Sequence, residues 1–361
     1  MKIIACQLAH YSVALKTTFK TALHAQNTAN GWIVQLKSEQ GHFGYGEAVP
    51  SLRVTGDSDA SIVGVLRQII FPAILGKNFE NIGKFDSFVA KLITQNSAAR
   101  NSVSEAFLDL LVKDQHGNLA DFFAPAKGQI DTDFTLSIND DRQMQVEAQK
   151  IVDQGFSILK IKVGENAIPE EIQKLGRLVK AFPKISFRID ANQAWNVRQS
   201  LQFNQLASQK KLPIEIVEQP LAIGYEDEYD QLVKQFNFPI ILDESIHEFN
   251  DARKLRAGVD FDGYNVKLEK AGSISQAKAL LDYAESIEKP AMLGCMIESN
   301  IGIAFSAALA NAYPIVKYVD LDSPLMFQEE IFQGWIKRNQ KSFTFNSTFI
   351  ETPALRGLTW L

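Results

Sequence analysis

The segment ILKIKV at residues 158–163 is a short apolar run with a charged residue, Lys162, at its end, and seven similar runs lie around it in the chain. The eight runs are DFTLSI (133–138), ILKIKV (158–163), ISFRID (185–190), IEIVE (214–218), PIILD (239–243), GYNVK (263–267), PAMLGC (290–295) and VKYVD (316–320). From the second run onward, 24 to 28 residues separate the consecutive end residues Lys162, Asp190, Glu218, Asp243, Lys267, Cys295 and Asp320. This spacing accommodates one strand, one helix and two short loops.

The repeat predicts an α/β protein with a TIM-type barrel. A doubly wound open sheet would also alternate strands and helices, but the glycine patterns GxGxxG and GxxxxGK[ST] that such folds usually carry are absent. The chain before residue 120 has a different pattern. Residues 2–9, 32–37 and 43–48 are predicted to form antiparallel strands, and residues 58–75, 84–94 and 100–115 to form helices. An α+β unit is therefore expected before the barrel.

Composition excludes several classes of protein. The 361 residues carry a net charge of −5, so the chain lacks the basic footprint of a nucleic-acid-binding protein. Cys6 and Cys295 are too few for a disulfide framework or a zinc cluster, which favours a reducing cytoplasm. Because no apolar run approaches the roughly 20 residues of a spanning helix, no membrane partner is expected. The N-terminal MKIIACQLAHYS is predicted to be a strand rather than a signal peptide.

Three of the end residues are carboxylates on neighbouring strands. Asp190, Glu218 and Asp243 end the third, fourth and fifth strands, and the carboxyl ends of barrel strands meet at one face. Without compensation these groups would repel one another and some would protonate. A divalent cation removes the conflict, and ligation by oxygen alone favours Mg²⁺ or Mn²⁺ over zinc. The alternative is three unrelated carboxylates at the starts of loops.

Lysines end the strands on either side of these carboxylates. Lys162 ends the second strand and Lys267 the sixth, so in a ring of eight strands the two ammonium groups face each other across the mouth. Lys160 shares the inward face of Lys162 because side chains alternate along a strand. A buried lysine near a cation can lose its proton close to neutral pH and act as a base. Simple ion pairing with the carboxylates is the alternative.

Two opposed lysines beside a cation indicate a class of reaction. One lysine would remove the α-proton of a metal-bound carboxylate substrate, the metal would hold the enediolate, and the other lysine would return a proton to the opposite face. The result is a 1,1-proton transfer that inverts one stereocentre. With a single lysine as base, the same site could instead run a β-elimination or a cycloisomerisation.

A further pair of acids follows the eighth strand. Asp320 and Asp322 lie two residues apart in VDLDSP, and the eighth strand is opposite the strand of Glu218. A negative pair facing the metal suits a substrate with a carboxylate at one end and an ammonium at the other. The alternative is an ordinary Asx turn before Pro324.

These residues resemble the enolase superfamily and, within it, the muconate-lactonising-enzyme subgroup. The resemblance spans nearly the whole chain, on GYGEAVP (44–50), LKIKVG (159–164), RIDANQAW (188–195), IVEQPL (216–221), LDES (242–245) and NVKLEKAG (265–272). It implies an N-terminal α+β capping domain (1–120), a modified (β/α)7β barrel (121–324) and a C-terminal segment (325–361) that returns to complete the capping domain. It also makes Asp190, Glu218 and Asp243 the ligands of one Mg²⁺ per subunit. Lys162 and Lys267 would be the acid/base pair, and Lys160 a helper near the substrate carboxylate or enolate.

Two more segments, GCMIES (294–299) and DLDSPL (320–325), resemble the dipeptide epimerases of the L-Ala-D/L-Glu type. The resemblance implies that Asp320 and Asp322 bind the free ammonium of a dipeptide and that the backbone from Cys295 to Ile297 lines the peptide unit. It also implies that Thr135 faces the substrate. The expected partner is a small dipeptide, in cell-wall peptide metabolism by analogy with the family. A homo-oligomer is compatible with the sequence.

One segment departs from that resemblance. FKTALHAQ (19–26) matches the loop that closes over the substrate, but members acting on Ala-Glu carry an arginine where this chain has His24. Arginine can clamp a Glu side chain with two hydrogen bonds, whereas histidine is shorter and mostly neutral at pH 7. We therefore expect His24 to favour Ala-Xaa dipeptides with a neutral or hydrophobic Xaa. The alternatives are o-succinylbenzoate synthase, muconate cycloisomerase, N-acylamino acid racemase or a carboxylate-binding barrel without catalysis.

Overall fold

The computed structural model describes residues 1–20, 25–115, 117–126, 128–137 and 139–361. At the N-terminus of the described chain, three antiparallel strands form a sheet in the order β1 (Ile3–Lys20), β2 (Ala25–Ser38) and β3 (Phe43–Ala48). The helices that follow are α1 (Asp59–Val65), continued by a π-helical turn (Leu66–Ile70) into α2 (Phe71–Ile74), then α3 (Ile82–Leu92), α4 (Ser97–Asp114) and α5 (Leu119–Phe123).

Helix α4 is buried on almost every side because it lies between this sheet and the rest of the molecule. Its backbone comes very close to β3, and only glycine permits that approach. A Cβ atom at Gly46 would lie 2.0 Å from the carbonyl oxygen of Ser102, and one at Gly44 would lie 2.1 Å from that of Ala106. The glycines of the GYGEA segment therefore fix how the N-terminal sheet sits on α4.

The barrel follows β4 (Ile130–Asp131). Its strands, in the described ranges, are β5 (Phe134–Leu136), β6 (Ile158–Lys162), β7 (Ser186–Asp190), β8 (Ile214–Glu218), β9 (Ile240–Leu242), β10 (Gly263–Val266), β11 (Ala291–Gly294) and β12 (Val316–Asp320). The helices are α6 (Asp141–Asp153), α7 (Ile168–Ala181), α8 (Val197–Gln209), α9 (Tyr229–Val233), α10 (Phe249–Arg256), α11 (Leu268–Ala271), α12 (Ile274–Ser286), α13 (Asn300–Ala312) and α14 (Ser323–Met326).

The eight described barrel strands are parallel and hydrogen-bonded in sequence order from β5 to β12. The backbone N–H of Asp133, just before β5, donates to the carbonyl oxygen of Val319 in β12 at 3.2 Å, which joins the first strand to the last. Helices cover the outside, so both faces of the strands are buried and their sequences are nearly continuous apolar runs. Inside, Ile216, Ile241 and Met292 form a small apolar cluster.

The C-terminal segment forms a hairpin of β13 (Gly334–Asn339) and β14 (Ser342–Ile350), followed by α15 (Pro353–Arg356). Strand β14 pairs with β4. The segment also reaches the N-terminal sheet, because Leu361 and Leu8 exchange backbone hydrogen bonds of 2.8 and 3.4 Å. In addition, Trp335 Nε1 donates to Asp109 of α4 at 2.7 Å.

The predicted fold class is confirmed: a (β/α)7β barrel is joined to an N-terminal α+β unit that the C-terminal tail contacts. Two predicted strands were too short, since β1 and β2 run over 18 and 14 residues as a long hairpin. The domain boundaries at 120/121 and 324/325 stay predictions, because one buried core contains side chains from all three parts. None of the described helices has the length and apolarity required to cross a bilayer.

We expect Gly46→Ala to lower the free energy of unfolding by about 1–3 kcal/mol, because the added methyl group would force β3 away from α4. Urea denaturation measures this change. Gly176→Ala in α7 is the matched control, since no other described atom outside its chain neighbours and its own helix backbone lies within 4 Å of the position that the added methyl group would take. That variant should be neutral or more stable by up to about 1 kcal/mol. Equal stabilities of the two variants would contradict the close approach of strand and helix.

Candidate active site

The parallel register brings the predicted end residues into one row at the carboxyl end of the barrel. Lys162 of β6 is the register partner of Asp190 in β7, and Asp190 is the partner of Glu218 in β8. Asp243 directly follows β9. All three carboxylates are buried. The strands of Lys162 and Lys267 lie four positions apart in the sheet, and the three carboxylate strands lie between them.

The lysines contact these carboxylates directly. Lys162 Nζ donates to Asp190 Oδ2 at 2.6 Å, and Lys267 Nζ donates to Asp243 Oδ2 at 2.7 Å. Lys160 Nζ lies 2.7 Å from Glu218 Oε2 and 3.1 Å from Asp190 Oδ2. The ion pairing that the sequence left open as an alternative is thus present between each of the three lysines and a neighbouring carboxylate.

These contacts set the charge states of the groups. Burial raises the pKa of Asp190, but the ammonium groups of Lys162 and Lys160 outweigh it, so the pKa lies below its usual range. The pKa of Asp243 is also lowered, because the ammonium groups of Lys267 and Lys270 outweigh the effect of burial. In Glu218, burial and the neighbouring Asp190 raise the pKa. Burial lowers the pKa of Lys267, yet the Asp243 carboxylate reverses the effect and raises it.

Asp190, Glu218 and Asp243 fit a hard divalent cation. They offer carboxylate oxygens alone, as Mg²⁺ prefers. Glu218 Oε2 is buried and accepts no hydrogen bond of good geometry, although the Lys160 ammonium is close to it. Among the described residues at this end of the barrel, buried acids outnumber buried bases: Asp133, Asp190, Glu218, Asp243, Glu244, Asp320 and Asp322 against Lys160, Lys162, Arg188, Lys267 and Lys270. An added positive charge would restore the balance.

A second acidic group lies beside the first. The oxygens of Asp190, Glu218 and Asp243 do not all come within 4.8 Å of one another, whereas in the described chain those of Asp133, Asp320 and Asp322 do, and that spacing could hold a metal. These acids already have partners, however. Arg188 Nη1 donates to Asp133 at 2.8 Å, and Lys160 Nζ donates to Asp320 at 2.7 Å. This group therefore has less need of a metal and remains available to a mobile cation such as an ammonium.

The two aspartates predicted to bind an ammonium differ in their environment. Burial raises the pKa of Asp320, but Lys160 outweighs it and lowers the value to about 2. Burial and the Asp320 charge raise the pKa of Asp322 to about 7. Asp322 Oδ2 accepts the backbone N–H of Thr135 at 2.6 Å. Oxygens of the two side chains lie within 4.8 Å of each other. Strand β12 ends at Asp320, however, so the loop that follows the strand, rather than the alternation expected from the spacing, brings Asp322 there. The Asp322 side chain does not cap the helix that begins at Ser323, so the Asx-turn alternative does not describe it.

A pocket of about 410 Å³ opens onto these groups. Its floor contains most of the predicted site residues, which are Thr135, Lys160, Lys162, Asp243, Lys267, Cys295, Ile297, Asp320 and Asp322. Asp190 and Glu218 are fully buried and do not line it. The N-terminal part supplies much of the rim, including Phe19, Leu52 and Val54. His24 lies outside the described residues.

Several residues of the site were not predicted. Lys270 is buried in α11 and its ammonium donates to Asp243 Oδ1 at 2.5 Å and to the carbonyl oxygen of Ile246 at 2.9 Å, which anchors the loop after β9. Arg188 and Asn265 each lie two residues before a predicted site residue on the same strand, so the alternation that placed Lys160 could have indicated them. Asn265 Nδ2 donates to Glu218 Oε1 at 2.9 Å.

The loop after β9 carries another buried acid that was not predicted. Burial and the Asp243 charge raise the pKa of Glu244 to about 7. Its Oε1 accepts a 3.3 Å hydrogen bond from Asn192 Nδ2, and both side chains line the pocket. Neither position follows from the strand period, because both lie in loops beyond the strand ends.

Comparison with known proteins agrees with this arrangement. Residues 3–123 match the family described as mandelate racemase / muconate lactonizing enzyme, N-terminal domain, and residues 143–353 match the family described as enolase C-terminal domain-like. The L-Ala-D/L-Glu epimerase of Bacillus subtilis is 32% identical over 99% of this chain and 96% of its own length. Its substrate-liganded structure superimposes with a TM-score of 0.93, at 31% identity over 97% of this chain and 99% of that one.

Two other solved structures contain a metal and a dipeptide. The dipeptide epimerase of Cytophaga hutchinsonii, complexed with Mg and D-Ala-L-Val, has a TM-score of 0.92 at 27% identity, covering 100% of this chain and 99% of that one. The dipeptide epimerase of Enterococcus faecalis, complexed with Mg and L-Leu-L-Tyr, has a TM-score of 0.90 at 30% identity, covering 97% and 98%. With both family domains matched along most of its length, the chain belongs to the mandelate racemase / muconate lactonizing enzyme family of the enolase superfamily.

Proposed function

We propose that this chain is an isomerase, a Mg²⁺-dependent dipeptide epimerase that inverts the α-carbon of the C-terminal residue. The observation that carries the proposal is the strand order, which sets Lys162 and Lys267 on either side of three buried carboxylates. Relatives that are at least 30% identical over nearly the whole chain have this type of activity. The two cysteines are both free, which fits the cytoplasmic location expected from the sequence. Peptides derived from the cell wall stay the expected substrates by analogy with the family.

Asp190, Glu218 and Asp243 are the residues we assign to the metal. Bound there, the ion would supply a positive charge that binds the substrate carboxylate and increases the acidity of the adjacent α-proton. Lys160 lies between Glu218 and Asp320 and would keep a second positive charge beside that carboxylate. Burial lowers its pKa, but the surrounding carboxylates reverse the effect and raise it, which favours the protonated form of Lys160.

Lys162 and Lys267 exchange the proton. The Nζ atom that faces the α-hydrogen accepts it in its neutral form, while the opposite Nζ donates a proton to the other face of the same carbon. One lysine gains a proton from the substrate and the other gives one to it, so the net charge of the site does not change during a turnover. Proton exchange with solvent, or a turnover in the opposite direction, then restores the starting protonation state of each lysine. Each amine is held by its own carboxylate, Lys162 by Asp190 and Lys267 by Asp243, so the two cannot move together to one face.

The other end of the substrate is recognised by Asp320 and Asp322. Both are buried at the pocket floor, and a dipeptide ammonium can donate to both carboxylates. The remaining reactions of the subgroup, o-succinylbenzoate synthesis, muconate cycloisomerisation and N-acylamino acid racemisation, use substrates without a free ammonium. This acidic pair argues against them. The presence of both opposed lysines beside three buried carboxylates argues against a barrel that merely binds a carboxylate.

The rim of the pocket supports a neutral or hydrophobic second residue after an N-terminal alanine. Leu52 lines the pocket and is 73% exposed, so it is accessible to a substrate side chain. Phe19, Val54, Met296 and Met326 complete an apolar lining. The Enterococcus faecalis relative, 32% identical over 94% of this chain, is a hydrophobic dipeptide epimerase. Arg53 also lines the rim and is the group that would favour an acidic side chain.

Proton exchange in D₂O tests the chemistry. Wild-type enzyme with Mg²⁺ should replace the α-hydrogen of the C-terminal residue by deuterium, as read by NMR. Lys162→Met and Lys267→Met should each lower the rate of epimerisation by about 10²–10⁴-fold, since each removes one base. Each variant should retain exchange of only the epimer whose α-hydrogen faces the remaining lysine. Chelation by EDTA should stop all exchange, and Mg²⁺ should restore it. Exchange of both epimers by either variant would contradict the two-base assignment.

Asp322→Asn tests recognition of the ammonium. The asparagine carbonyl can still accept the Thr135 N–H, so the pocket keeps its shape while the charge is lost. We expect the KM for the dipeptide to rise by about 10–100-fold, the usual value of a hydrogen bond between charged groups. Slow turnover of an N-acetylated dipeptide, which has no ammonium, is the control and should not fall. An equal loss on both substrates would refute the assignment of Asp322.

A panel of Ala-Xaa dipeptides tests the side-chain preference. The kcat/KM for Ala-Leu or Ala-Phe should exceed that for Ala-Glu by about tenfold or more, because the apolar rim gains buried area and does not solvate a carboxylate. Arg53→Ala should leave the apolar substrates unaffected. A preference for Ala-Glu that disappears in Arg53→Ala would overturn the side-chain assignment while leaving the epimerase proposal intact.

A further inference from the structure

We infer that Glu47, a buried glutamate of β3, is a positioning residue that holds the two walls of the substrate pocket in register across the boundary between the N-terminal sheet and the barrel. This inference rests on the proposed dipeptide site. The cap wall is residues 49–54, which follow β3. The barrel wall is Cys295–Ile297, which follows β11. Both walls line the pocket.

Glu47 is fully buried and is bound mainly by the barrel. Its Oε1 accepts the backbone N–H of Ser299 at 2.8 Å, and its Oε2 accepts the Ser299 hydroxyl at 2.7 Å and the backbone N–H of Gly302 at 2.9 Å. Tyr11 of β1 donates to Oε1 as well. Ser299 is the N-cap of α13, where free N–H groups favour a carboxylate. A side chain of the N-terminal sheet thus caps a barrel helix.

The capped turn begins two residues after the barrel wall. Glu298 lies between the wall and this turn, and its Oε1 accepts the backbone N–H of Met296 at 2.7 Å, which fixes the middle of that wall. The Ser323 hydroxyl donates to the Glu298 carbonyl oxygen at 2.7 Å, and Ser323 directly follows Asp322. The network that starts at Glu47 therefore reaches both the residues expected along the peptide unit and the end of the strand expected to bind the ammonium.

The cap wall is held by buried glutamates that lie near Glu47 and Glu298. The backbone N–H of Glu47 donates to Glu105 of α4 at 2.9 Å, and that of Val49 donates to Glu269 of α11 at 3.0 Å. Space in the cluster is tight, since a Cβ atom at Gly302 would lie 2.6 Å from Glu298 Oε2 and 3.2 Å from Glu47 Oε2. Because there is no free space around the Glu47 carboxylate, a shift of this side chain should also shift the residues of both walls.

Glutamine cannot replace Glu47 in this arrangement. Each carboxylate oxygen accepts one backbone N–H, from Ser299 or from Gly302. In either orientation of a glutamine side chain, its amide NH₂ would meet one of these donors, and two donors cannot pair. The substitution keeps the volume of the side chain but breaks the link between the walls.

The test compares Glu47→Gln with Asp86→Ala. Asp86 of α3 is also a buried acid between the N-terminal unit and the barrel, because it accepts the backbone N–H of Ser275 at 3.0 Å, but it touches neither wall. Glu47→Gln should raise the KM for the dipeptide by about tenfold or more while kcat changes by less than about threefold, as expected when uniform binding is lost. Asp86→Ala should lower the free energy of unfolding and leave KM unchanged.

Amide hydrogen exchange supplies a readout that does not depend on turnover. In Glu47→Gln, peptides covering residues 49–54 and 295–299 should exchange at least about tenfold faster than in wild type, and in Asp86→Ala they should not. If the wild-type enzyme turns over no dipeptide, the proposed function is refuted. Amide hydrogen exchange in the two walls would still show whether Glu47 holds them. If Glu47→Gln fails to fold, Ser299→Ala, which removes one donor to Glu47, should shift KM and exchange in the same direction. Unchanged KM and unchanged exchange in both walls would overturn the inference.

Discussion

Buried carboxylates on neighbouring parallel strands repel one another, and the rest of this structure depends on how that repulsion is compensated. Asp190, Glu218 and Asp243 cannot move apart, since the sheet fixes the strands that carry them. Buried charges persist only when they are paired. Lysines on the flanking strands supply part of the pairing, and the remaining negative charge gives the site its affinity for cations. The same arrangement holds two amines at opposite sides of one small volume, which is the geometry that a two-base reaction requires.

The charged floor and the apolar rim have different origins. The floor is built from strand ends of the barrel, whose positions are rigid because every strand is hydrogen-bonded to its neighbours. The rim comes in large part from the N-terminal unit, through Phe19 and residues 49–54. Under the proposed function, chemistry and side-chain recognition would therefore be carried by separate parts of the chain. The Bacillus, Cytophaga and Enterococcus relatives are named for different dipeptides.

Such a division requires that the N-terminal unit keep a fixed position relative to the barrel. Glycines and buried acids hold the two together, in addition to apolar packing. Gly44 and Gly46 let β3 approach α4, and Glu47, which follows them, caps α13 on the barrel side. The short GYGEA segment thus serves both packing and alignment. Because the C-terminal hairpin also contacts α4 through Trp335, the last part of the chain supports the same junction.

The sequence by itself determined the barrel, the row of acids and lysines, and the acidic pair at Asp320 and Asp322. The barrel and the row follow from local rules, the length of a βα unit and the alternation of side chains along a strand, so spacing locates them. Asp322 lies beyond the end of β12, and only the loop in the folded structure brings it to Asp320. Tertiary structure alone decided the partners of Lys270, the capping of α13 by Glu47 and the composition of the pocket rim. These contacts join residues far apart in the chain, such as Glu47 and Ser299. No periodic pattern connects such residues, because their meeting depends on how whole elements pack.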